Sequence, residues 1–234
     1  MRQDGAASAL AFDDPFDHQS QSCVIRVGLG GKRAKVSKDL CGVEVFGDFS
    51  AGPDAPVIIC LHYYGHGSAG GAQFVKWFPA LRAAGYRVLA PSFPGHGSTP
   101  GPAPSAKPDP DALAGAPATL VTAVLDHFGV KKCVVLGHDW GGGVAFEYAT
   151  RLPHRVSAVI GHSISYRGAE ASLATLQTRF SAKKRLLLCW VESEVHLIKK
   201  GQTLAKAAGV KIWSAQDGEG VLEHAVKFLG GLQR

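Results

Sequence analysis

The stretch with the clearest capacity for chemistry is Gly137-His138-Asp139-Trp140-Gly141-Gly142. It follows the apolar run Cys133-Val134-Val135-Leu136 and leads into a helix-forming segment. A strand that runs straight into a helix forces the residue between them into a cramped turn. Glycines two places before and after Asp139 remove the side chains that would collide there. The carboxylate is thereby lifted above the sheet, at the N-terminus of a helix whose dipole favours negative charge. An aspartate at a helix start is also an ordinary N-cap, so the turn and its glycines, not the aspartate alone, carry the argument. A carboxylate is a weak attacker of amides and esters, but it can displace a halide or open an epoxide at saturated carbon, leaving a covalent alkyl ester. Water must then attack the Asp139 carbonyl carbon, a step that needs a general base and an oxyanion hole.

The elements that must position this turn can be read from hydropathy. Residues 22–49 predict antiparallel strands around the glycine-rich turn at 28–31. That turn is not a phosphate loop, because Arg26 stands where the pattern needs a glycine and Arg33 where it needs Ser or Thr. From Pro56 onward, strand, glycine-rich loop and helix repeat. Strands are predicted at 56–64, 86–93, 133–137, 156–163, 185–193 and 210–215, and helices at 74–85, 118–129, 199–209 and 221–232. The Pro- and Gly-dense stretch 94–111 predicts a loop. Continuous apolar strands alternating with helices are the signature of a parallel sheet covered on both faces. One α/β domain over residues 22–234 is expected, preceded by a flexible tail at 1–21 that has neither the apolar run of a signal peptide nor that of a membrane span.

The elbow, the Leu61-His62 that ends the first parallel strand, the "PGHGS" loop at 94–98 and the "RLPHRVSAVI" after the elbow helix together resemble the α/β-hydrolase superfamily. Within it, G-H-D-W-G-G looks most like epoxide hydrolases and haloalkane dehalogenases. The resemblance implies Asp139 as nucleophile, hole donors at the backbone N–H of Trp140 and of Tyr63 or Tyr64, and a halide contact from the Trp140 indole. It places the triad acid at Glu194, with Glu192 nearby, and no metal or organic cofactor. The histidine base is expected directly after Gly218, where this chain has Glu219. His224 is the nominated base, with His196 and His66 as other imidazoles at the strand ends. Ser163, in "GHSIS", approaches a serine-nucleophile motif without completing it.

Three departures bear on the chemistry that the resemblance implies. The connection between Ser163 and Arg185 is too short for the helical cap that supplies ring-opening tyrosines in epoxide hydrolases, so a capless fold is expected. The usual His-Gly of the hole loop is His62-Tyr63. The usual aspartate of the loop after the second parallel strand is Ser92. The leading expectation is hydrolysis of a small epoxide or alkyl halide; the alternative is an impaired hydrolase-fold protein that binds a small apolar ligand or a protein.

Composition narrows the partners. The formal charge is +6 over 234 residues, but lysines and arginines are dispersed and no basic stripe carries interleaved aromatics, so neither nucleic acid nor membrane is an expected partner. Five cysteines without a C-x-x-C pair, three of them inside apolar strands, suggest buried thiols and a reducing, cytoplasmic setting.

Overall fold

The structure is a computed structural model, and it describes residues 22–28, 40–65, 68–101, 110–164, 185–191, 202–203, 206 and 212–233. The expected N-terminal tail, Glu192, Glu194, His196 and His66 lie outside the described residues, as does the connection at 165–184.

Eight strands form one sheet in the order β1-β2-β4-β3-β5-β6-β7-β8. They are β1 (Ser22–Gly28), β2 (Leu40–Asp48), β3 (Val57–Leu61), β4 (Arg87–Pro91), β5 (Cys133–His138), β6 (Val156–His162), β7 (Leu186–Val191) and β8 (Ile212–Ala215). β1 and β2 pair antiparallel, β2 meets β4 antiparallel, and every other pairing is parallel. The parallel strands are buried along nearly their whole length, as strands covered on both faces must be. On one face lie α2 (Pro110–His127) and α3 (Trp140–Arg151); on the other lie a 3₁₀ helix (Gly70–Trp77), α1 (Phe78–Ala83) and α4 (Gly218–Leu232). Cys60, Cys133 and Cys189 are buried free thiols within these layers. Among the described residues no helix is long and apolar enough to cross a membrane.

Three boundaries differ from the sequence reading. The segment 74–85 is not one helix: a 3₁₀ stretch ends at Trp77, and Pro79 opens a separate α1. The helix expected from 118 starts at Pro110, inside the stretch read as loop, because proline is tolerated in a first helical turn. The last helix starts at Gly218, where the Asp217 carboxylate accepts from the Gly220 N–H at 2.9 Å as an N-cap. Strand order reverses between β3 and β5, since the chain runs from β3 to β4 on one side and then to β5 on the other. Sites in open α/β sheets sit at the C-terminal strand ends beside such a reversal, and that is where β3 hands on to Tyr63 and β5 to Asp139.

Candidate active site

Asp139 is held at φ 51° and ψ −114°, a conformation that a side chain adopts only when its surroundings impose it. It occupies the N-cap position of α3, but its side chain makes no capping hydrogen bond. Its N–H donates to the His162 carbonyl at 2.8 Å, and its own carbonyl accepts from the Gly142 N–H at 3.0 Å. The glycines explain why the turn can close. A Cβ on Gly137 would strike the Gly141 carbonyl, and one on Gly141 would strike the carbonyls of Leu61 and His62. The first turn of α3 therefore packs directly on the end of β3, and the elbow is brought against the loop that begins at Tyr63.

One side of the elbow is an aromatic wall. The Trp140 side chain is buried, with the Tyr64 ring 5.1 Å and the Phe93 ring 5.0 Å from it. Tyr64 also meets His96 edge-on at 4.9 Å, and His96 meets His62 at 4.9 Å. His62 is committed at both nitrogens. Its Nε2 accepts from the Phe93 N–H at 2.9 Å, which places the proton on Nδ1, 2.7 Å from the Tyr63 carbonyl. Burial outweighs that bond to Tyr63 and pushes the ring down to about 3, with His96 and His138 adding to the shift. A neutral, doubly bonded His62 thus ties the loop after β3 to the loop after β4.

The loop after β4 is held by a carboxylate from elsewhere in the chain. Ser92, standing where the superfamily usually has aspartate, donates to Glu44 of β2 at 2.7 Å and accepts from the Gly71 N–H at 3.0 Å. Glu44 also accepts from the Ser98 hydroxyl at 3.0 Å and from the Ser98 N–H at 3.3 Å. The antiparallel β2–β4 pairing sets Val45 opposite Pro91, so Glu44 arrives beside Ser92. The negative charge that the sequence lacks at 92 is supplied across the sheet.

The other side of the elbow carries a second pair of imidazoles. His138 and His162 are register partners across β5 and β6, and their rings stack at 4.3 Å and 20°. His138 Nδ1 is bonded to the Gln73 side-chain amide, and the Tyr63 ring stands edge-on to it at 5.7 Å. The Trp77 indole lies near-parallel to His162 at 5.9 Å. His162 is buried, and neither of its nitrogens has a hydrogen-bond partner among the described residues. Ser163, next in the chain, is buried with its hydroxyl equally unpartnered, and its φ is 47°. Each such orphaned polar atom costs about 1–3 kcal/mol.

The structure sets the Tyr64 ring against Trp140 and the Tyr63 ring against His138, the two neighbours of Asp139 in the chain. It does not bring His224 to them. That ring packs on Trp213 of β8 at 4.8 Å, and β6 and β7 lie between β8 and the elbow strand. At about 4.8 Å per strand the separation is on the order of 14 Å. Glu219, in the position where a histidine was expected, is exposed and lines a groove of about 680 Å³ with Trp77, Lys76 and Asp217. No imidazole among the described residues bonds the Ser163 hydroxyl, so it lacks the activation that a serine nucleophile requires. His138, His162, Gln73 and Glu44 escaped the sequence reading. A signal for the first two was present: Gly-His-x ends two consecutive sheet neighbours, at 137–139 and at 161–163.

Comparison with known proteins agrees with this architecture. A family model described as alpha/beta hydrolase fold matches residues 56–187. Epoxide hydrolase B of Mycobacterium tuberculosis is 30% identical over 132 residues, 54% of this chain and 34% of that protein. The 2-hydroxy-6-oxononadienedioate/2-hydroxy-6-oxononatrienedioate hydrolase of Cupriavidus pinatubonensis is 34% identical over 113 residues, 47% of this chain and 36% of that protein. The chain thus spans about a third of the length of the curated relatives it matches. Among solved structures, a "predicted CIB-like hydrolase" from Thermoplasma acidophilum superposes with a TM-score of 0.67 at 20% identity, covering 89% of this chain and 98% of that one. That likeness establishes a shared fold.

Proposed function

The chain belongs to the α/β hydrolase fold family, and from that premise we propose that it hydrolyses a small epoxide or alkyl halide through an ester formed on Asp139. The observation that carries the reading is the strained elbow: an aspartate held at φ 51°, at the N-terminus of α3 and beside the loop after β3. In the first step a carboxylate oxygen of Asp139 attacks a saturated carbon; a halide departs, or the epoxide C–O bond opens and its oxygen stays on the adduct as an alkoxide that takes a proton from water. The Trp140 indole N–H is suited to receive a departing halide. In the second step water attacks the Asp139 carbonyl carbon, and the backbone N–H groups of Trp140 and of Tyr63 or Tyr64 are the donors that would face the oxyanion. Glu194 is the acid proposed to orient a base. The aromatic wall of Tyr64, Trp140 and Phe93 favours a small apolar substituent on the substrate.

Intact-protein mass after incubation with styrene oxide and with 1-bromobutane, alongside product detection, tests the reading. The native chain is expected to give product or an adduct, and Asp139→Asn neither; undiminished turnover by that variant would overturn the assignment. A binding role without turnover is the second reading, favoured by the position of His224 on Trp213. It would be supported by a native chain that binds an apolar ligand, forms no adduct and releases no product.

A further inference from the structure

The ester proposed on Asp139 needs a base, and the inference that follows rests on that reading. The last three residues of the β5 strand-and-elbow and of its β6 neighbour repeat one arrangement. Gly137 pairs with Gly161 and His138 with His162, and each strand then turns through a left-handed residue, Asp139 at φ 51° and Ser163 at φ 47°. These are the two non-glycine residues with positive φ among those described. The Asp139 N–H bonds the His162 carbonyl, and the Ser163 N–H bonds the Cys189 carbonyl on β7, both at 2.8 Å. Strained backbone and unsatisfied buried polar atoms coincide at this one place beside the nucleophile, the combination that marks a working site rather than a packing solution.

Elimination among the described imidazoles beside the elbow leads to the same residue. His62 Nε2 is spent on the Phe93 N–H, His96 Nε2 lies 3.4 Å from the Gly65 N–H it accepts, and His138 Nδ1 is bonded to Gln73. His162 has two nitrogens without partners among the described residues, and the Ser163 hydroxyl follows it with none. A neutral imidazole offers one donor and one acceptor and a hydroxyl offers both, the partners that a water reaching them would need.

We propose that His162 is the general base of the site, accepting the proton of the water that hydrolyses the Asp139 ester, with the Ser163 hydroxyl holding that water. The water oxygen bonds to Cγ of Asp139 as one of its protons passes to the unprotonated nitrogen of His162. The tetrahedral intermediate breaks its Cγ–O bond to the alkyl group, and the departing alkoxide takes the proton back from the imidazolium. Asp139 is left as a carboxylic acid, carrying the water oxygen, and ionises to solvent. Burial, with His138 adding to it, pulls the His162 ring down to about 3, so its lone pair is available throughout the neutral range. So weak a base makes release the slow step, and the native chain is expected to show a burst of adduct followed by slow decay.

The test follows adduct formation and adduct decay separately, by intact mass, after mixing with 1-bromobutane or styrene oxide. His162→Phe keeps the stacked ring without the nitrogens, and His162→Gln keeps polarity without the base; both are checked for folding by circular dichroism. Each is expected to form the Asp139 adduct at the native rate and to release it about a hundredfold more slowly, within the range of general-base contributions. Ser163→Ala is expected to slow release about tenfold. Adduct decay at the native rate in both His162 variants would overturn the assignment, and so would a folded variant that no longer forms adduct, since that marks a purely structural histidine. A native chain that yields neither adduct nor product would overturn the ester reading, and this assignment with it.

Discussion

His62 and His96 on one side of Asp139, and His138 and His162 on the other, are the same side chain in two situations. In the first pair the lone pairs are spent on backbone: His62 accepts from the Phe93 N–H, and His96 is aimed at the Gly65 N–H. In the second pair the rings are fixed by stacking on each other, and His162 keeps both nitrogens unpartnered among the described residues. Burial alone does not separate them, since it pushes both His62 and His162 down to about 3. What separates them is where the hydrogen bonds go. A histidine whose nitrogens clamp two loops has a structural explanation; one whose nitrogens are buried and orphaned beside the strained Asp139 turn has none among the described residues.

Acid is expected to produce the largest effect, and it acts on both pairs alike. A histidine near 3 in the fold and near 6.5 in the unfolded chain leaves the unfolded state binding more protons between those values. Stability is therefore fully present above about pH 6.5 and is lost progressively as pH falls toward 3. Between pH 7.5 and 5.0 the loss is about 2 kcal/mol for each ring, or about 4 kcal/mol together. Urea denaturation at the two pH values measures it, and His162→Phe should remove half of the difference. A native chain equally stable at both would show that His162 is not held neutral by burial.

Replacing His62 separates the pairs. His62→Phe fills the same space but leaves the Phe93 N–H without its acceptor, while the Tyr63 carbonyl keeps the Ser68 hydroxyl, so a loss of about 2 kcal/mol in unfolding free energy is expected. The variant should also lose adduct formation, because the loop carrying Tyr63 and Tyr64 is no longer tied to Phe93. A melting temperature equal to that of the native chain would break the contrast between the clamped and the orphaned histidine.

On the clamped side the next smaller effect belongs to Glu44. Glu44→Gln keeps the shape and removes the charge that accepts from Ser92 and Ser98, with an expected cost of about 1–2 kcal/mol. Adding Ser92→Asp to it returns a carboxylate to the loop and should recover most of that stability. Ser92→Asp alone sets two carboxylates against each other and should be worse than either. If the two substitutions prove additive in denaturation, Glu44 is not the replacement for the missing aspartate.

These contrasts mark what the sequence could and could not disclose. The parallel sheet, the elbow and its glycines were legible because they rest on local rules: apolar runs, and a turn that Gly137 and Gly141 alone permit. Glu44 was not, because its role depends on a partner 48 residues away that only the β2–β4 register brings near. The 3₁₀ start before α1 and the Pro110 start of α2 were misjudged where proline reads as loop in sequence and as a first turn in the fold. The histidine was sought along the chain, in the loop after β8; the one proposed as base lies across the sheet, on β6. The repeated Gly-His-x could have pointed there, since parallel neighbours in register set equivalent residues side by side.

The smallest expected effect is the most discriminating. Replacing His162 by Phe removes no hydrogen bond that the described structure contains, so the usual penalty for stranding a partner does not arise. The ring can still stack on His138 and Trp77, and the extra volume is small. Stability at pH 7.5 should therefore show no loss relative to the native chain. The chain would then tolerate, at no cost to folding, the loss of a buried polar group that it carries at a price in every molecule. That outcome would fit the role proposed for His162, and a loss as large as that of His62→Phe would instead make the second pair a copy of the first.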